Sequence, residues 1–78
     1  ERRSVHEFAA WLKTEEARKA IDWFSERKAI LIVSTFEKII VVRALGEKFK
    51  AEGTSTKGDY TEAYREAAQR WIEKETRA

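Results

Sequence analysis

Residues 29–53 read AILIVSTFEKIIVVRALGEKFKAEG, and the fold is decided by how that stretch divides into strands. ILIV and IIVV are runs rich in β-branched residues, too short for helices and well suited to strands. Three strands are predicted, Ala29–Thr35, Ile39–Leu45 and Lys48–Thr54, joined by Phe36-Glu37-Lys38 and by Gly46-Glu47. Connections this short make a simple antiparallel meander, and Gly46 is placed to supply the positive φ of a tight turn.

The third strand alternates cleanly. Phe49 and Ala51 fall on one side and Lys48, Lys50 and Glu52 on the other, the pattern of one buried and one wet face. The first two strands do not alternate, because Ile30 and Ile32 oppose Leu31 and Val33, and Ile40, Val42 and Ala44 oppose Ile39, Val41 and Arg43. Two arrangements absorb this excess of apolar side chains. In one, helices before and after the sheet sandwich it. In the other they cover a single face, leaving Ile39, Val41 and an apolar pair from strand one as an exposed patch of the kind that marks an interface.

Helices are expected on both sides of the strands. Ser4 and Glu7 have capping-box spacing, and Phe8, Trp11 and Leu12 form an apolar stripe at i, i+3, i+4. Thr14, followed by Glu15 and Glu16, reads as a second N-cap, so the N-terminal helix is bent or in two pieces, the second with Ala17, Ala20, Ile21 and Phe24 on one face. Trp23 lies off that stripe, packed on the first piece or facing outward. After a loop over 54–58, Asp59 is a good N-cap with Glu62 at the capping-box position, and Tyr60, Tyr64, Ala67 and Trp71 make the stripe of a final helix. Helices segregated from an antiparallel sheet define a single α+β domain over residues 1–78.

Composition narrows the function classes. The chain has no cysteine, so a disulfide framework and a thiolate metal site are excluded. Its longest apolar run, Ala29–Val33, is far short of the roughly 20 residues of a membrane span, and no signal-peptide core precedes it; a soluble, cytoplasmic domain is expected. The net charge of +2 gives the whole molecule little pull on polyanions. His6 is the only histidine, read as half-exposed in a first helical turn, and the acidic residues sit mostly on solvent faces beside basic partners. No catalytic, metal-ligating or cofactor-binding set emerges, and no small-molecule substrate is implied.

Helix–strand–strand–strand–helix order, with KFKAEGTSTKGDYTEAYREAAQRWIEK (48–74), resembles the double-stranded-RNA-binding domain over roughly the C-terminal third. In that family a lysine cluster at the start of the last helix touches phosphates. The matching positions here hold Lys57, Asp59 and Glu62, with Arg65 a turn further on, so two acids stand where phosphate would approach. The favoured reading is therefore a non-enzymatic protein-interaction or assembly module acting through an apolar sheet face, with Leu31, Val33, Ile39, Val41 and Trp23 as interface residues. Its partner is another protein or a second copy, since a self-complementary face suits a twofold homodimer. The alternative is a nucleic-acid-binding domain using a basic patch of Arg43, Lys48, Lys50 and Lys57.

Overall fold

A computed structural model describes residues 2–77, with side chains from Glu7 onward. Helices α1 (Arg2–Leu12) and α2 (Glu15–Glu26) are followed by strands β1 (Ile30–Phe36), β2 (Ile39–Leu45) and β3 (Lys50–Ser55), and α3 (Tyr60–Arg77) completes the α+β domain. The N-terminal helix is in two pieces because Thr14 serves both. Its hydroxyl donates to the Trp11 carbonyl at 2.6 Å, at the end of α1, and accepts from the Ala17 N–H at 3.2 Å, at the start of α2. Helix α1 begins at Arg2, so Ser4 lies within it; the Ser4 capping box and the reading of His6 rest on side chains outside the described residues.

The sheet is an antiparallel meander in the order β1-β2-β3. Its first connection is only Glu37-Lys38, with Phe36 paired to Ile39 and the ladder unbroken back to Ile30 and Leu45. Glu37 takes the left-handed conformation (φ 56°) that such a loop requires. The second connection is longer than expected. Gly46 N–H donates to Phe49 C=O at 3.0 Å, and β3 starts at Lys50, two residues later than predicted. Gly46 does not have positive φ; Lys28, Glu37 and Gly58 do. Glycine is needed at 46 for space instead, since a Cβ there would come within 2.5 Å of the Trp71 ring.

Because residues paired across an antiparallel ladder point to the same side, register assigns the faces. Leu31, Val33, Ile40, Val42, Ala44, Ala51, Gly53 and Ser55 share the side on which both α2 and α3 lie. Phe24 of α2 and Tyr60, Ala63, Tyr64, Ala67 and Trp71 of α3 complete the core there, and Phe8 and Trp11 of α1 pack from outside it. Phe24 and Phe49 both meet Trp71 edge-on, at 6.0 and 4.7 Å between ring centroids.

The two layers approach each other closely at Gly53. A Cβ on it would overlap the Ala63 carbonyl oxygen and the Ala67 backbone nitrogen, so helix and strand backbones touch with only alanines between them. Substitution of Gly53 by Ala is expected to destabilise the domain by about 3 kcal/mol, the upper range for overpacking, because backbone rather than a flexible side chain must move. Gly58→Ala meets open space and should lose only about 1 kcal/mol for its left-handed φ of 73°. Denaturant unfolding of the two variants checks the ordering.

Candidate functional site

The sheet has one face covered by helices and one open. On the open face stand Ile30, Ile32, Ser34 and Phe36 of β1, Ile39, Val41, Arg43 and Leu45 of β2, and Lys50, Glu52 and Thr54 of β3. The surface is graded across the strands. The β1 side is apolar, and Ile30, Ile32, Phe36 and Ile39 are all exposed large hydrophobic side chains. The β3 side is polar, with Arg43 Nε 2.9 Å from a Glu52 carboxylate oxygen.

The two sheet edges differ in the same sense. At β3, α3 reaches over the outer backbone: the Glu66 carboxylate accepts from Thr54 N–H at 2.7 Å, and the Lys74 ammonium donates to the Lys50 carbonyl. These bonds occupy groups that would otherwise pair with another strand. At β1, among the described residues, no side chain bonds to the backbone.

Ile39 and Val41 lie on the open face as expected, but Leu31 and Val33 do not join them. A three-residue connection would have set Thr35 opposite Ile39 and turned Leu31 and Val33 outward. The two-residue loop sets Phe36 there, and a slip of one residue exchanges a strand's faces. Leu31 and Val33 are therefore half-buried against the core, and Ile30, Ile32 and Phe36 take the open positions. Trp23 is also elsewhere, on the helical layer. It packs edge-on against Phe24 at 4.9 Å and beneath the Arg27 guanidinium at 3.7 Å, where cation–π attraction holds it. With Trp11, Tyr64 and Ile72 it lines a cleft of 320 Å³ between the helices.

The four basic candidates do not all converge. Arg43, paired with Glu52, and Lys50 are diagonal neighbours on the open face, Lys48 is in the β2–β3 connection, and Lys57 lies beyond the strand's other end. The acids at the start of α3 have structural work. Asp59 caps the helix by accepting from Glu62 N–H at 3.2 Å, while Glu62 accepts from the buried Ser55 hydroxyl at 2.8 Å instead of closing the capping box. Ser55 Oγ in turn accepts from the N–H groups of Lys57 and Asp59, at 3.2 and 3.1 Å. One hydroxyl thus fixes the loop and the helix start, a role with no signal in the sequence.

Tyr60 and Tyr64 are buried beneath Trp11, whose indole N–H donates to Thr61 Oγ1 at 2.9 Å. Burial pushes the Tyr60 phenol up from its ordinary value, with help from Glu7; it pushes Tyr64 up to about 12, with help from Tyr60. No group of three His, Cys, Asp or Glu able to hold a metal occurs among the described residues, and none of their helices is long and apolar enough to cross a membrane. No protein-family model, curated protein or solved structure matches the chain.

Two outcomes follow from these contacts. Ser55→Ala should lower stability by about 1 kcal/mol, since it removes the part-buried bonds from the Lys57 and Asp59 N–H groups and the Glu62 contact. The tyrosines bind their protons more tightly folded than unfolded, so their contribution is complete below about pH 10 and is lost as pH rises toward 12. Alkaline unfolding followed by phenolate absorbance should show this loss, and Tyr64→Phe should remove most of it.

Proposed function

We propose that this domain is a non-enzymatic protein-interaction module whose docking surface is the open face of the sheet, centred on Ile32, Ile39 and Val41. The observation that carries this reading is the one-sided cover of the sheet. Both α2 and α3 lie on one face, and the other keeps a contiguous set of β-branched and aromatic side chains in water. Monomers seldom leave such a patch bare unless it is used. Its surroundings suit a protein partner: an apolar centre on β1 and β2, bordered by the neutralised Arg43–Glu52 pair between β2 and β3, resembles the apolar core and polar rim of an interface.

The alternative, nucleic-acid binding through Arg43, Lys48, Lys50 and Lys57, has less support because Lys57 lies at the far end of β3 from the other three and Arg43 is already paired. Backbone phosphates are held by clustered cations, and duplex binding would be salt-dependent.

Val41→Glu places a charge in the centre of the face without touching the core. Affinity capture should show at least a tenfold loss of the partner protein relative to wild type, with an unchanged circular dichroism spectrum. Ile72→Glu, exposed on α3, should bind as wild type does. A partner that binds the Val41→Glu variant with full affinity contradicts the proposal, and tight duplex RNA binding that weakens steeply with salt would favour the alternative.

A further inference from the structure

We infer that the outer edge of β1 pairs antiparallel with β1 of a second copy, about a twofold axis at Val33, to make a continuous six-stranded sheet. The edge of the sheet is involved here, not its face, and two separate observations bear on it.

The first is the contrast between edges. α3 spends two side chains, Glu66 and Lys74, on the outer backbone of β3, whereas that of β1 has no such cover among the described residues. Nor does β1 carry the usual devices that discourage pairing. ILIVSTF contains no lysine, proline or other charge, and its register with β2 runs through seven residues with no bulge.

The second is the position of the most exposed apolar side chains. Ile30 and Phe36, at the two ends of β1, are 65% and 71% exposed. Antiparallel pairing about Val33 sets Ile30 opposite the partner's Phe36, and Phe36 opposite the partner's Ile30, on the same side of the sheet. Each becomes a β-branched–aromatic cross-strand pair, among the favourable pairings of antiparallel sheets. Ile32 then faces the partner's Ser34, and Val33 the partner's Val33. No charge opposes a like charge anywhere along the strand, so one sequence satisfies both sides of the twofold.

A second copy on the edge leaves the open face free and doubles it, so the dimer is a wider platform for the partner proposed above.

Sedimentation equilibrium of the full chain from micromolar to millimolar concentration tests this. Wild type should form a concentration-dependent dimer. The double substitution Ile30→Lys, Phe36→Lys alters only exposed positions and should weaken dimerisation at least tenfold, while Val41→Glu should leave it intact. Because the chain lacks cysteine, Val33→Cys gives a second readout: oxidation should join two copies through the introduced thiol at concentrations where Ile72→Cys stays unpaired. A wild type that stays monomeric throughout, or a dimer that survives the lysine pair and does not cross-link in the Val33→Cys variant, overturns the inference. A dimer lost in Val41→Glu but kept in the lysine variant also overturns it, and assigns self-association to the face. A monomer that still loses its partner on Val41→Glu overturns the edge pairing alone.

Discussion

Helix α3 lies with its backbone directly against that of β3, because Gly53 has no Cβ and the residues above it are Ala63 and Ala67. Much else depends on that contact. It holds α3 close enough for Trp71 to fit over Gly46, and for Phe24 and Phe49 to pack against the helix's Tyr64 and Trp71. It also lets Glu66 and Lys74 reach past the sheet to the outer backbone of β3. In a domain of this size, where aromatic burial supplies much of the driving force, a helix held farther off would loosen most of the core at once.

The same contact produces the asymmetry on which the functional reading rests. With α3 drawn over β2 and β3, and α2 set beside β1 and packed on α3 through Phe24, both helices that cover the sheet lie on one side of it. The opposite face is left uncovered, polar next to the protected strand and apolar next to the unprotected one. Exposed hydrophobic surface and unpaired strand edge therefore coincide at β1. Either is a liability alone, and their coincidence is the basis of the proposed association.

Much of the fold was legible in the sequence. The α+β order, the break at Thr14, the limits of β2, and the stripe Tyr60, Tyr64, Ala67 and Trp71 follow from periodicity and capping chemistry, which act over a few residues. What was not legible depended on register or on distant neighbours. One residue in the length of the β1–β2 connection decided whether Leu31 and Val33 or Ile30 and Ile32 face outward, and a strand apolar on both sides gives no pattern to choose between them. Gly46 and Gly53 matter because of what lies above them, and their neighbours Trp71, Ala63 and Ala67 are 25, 10 and 14 residues away in the chain. Ser55 looked like a loop residue, yet its hydroxyl joins β3, the loop and α3. Trp23 was conspicuous for lying off the helical stripe, and Arg27, one turn later, is what covers it.

The one-sided cover of the sheet is tested most directly by thiol labelling along β2, where neighbouring residues face opposite layers and no native cysteine interferes. The single variants Ile40→Cys, Val41→Cys and Val42→Cys would be reacted with a small thiol reagent under native conditions in dilute protein. The expected result is alternation, with the half-buried position 41 reacting readily and the thiols at positions 40 and 42 slower than it by at least a hundredfold. Equal protection at all three positions would show that both faces are covered, and would contradict the open face from which the proposed function is drawn.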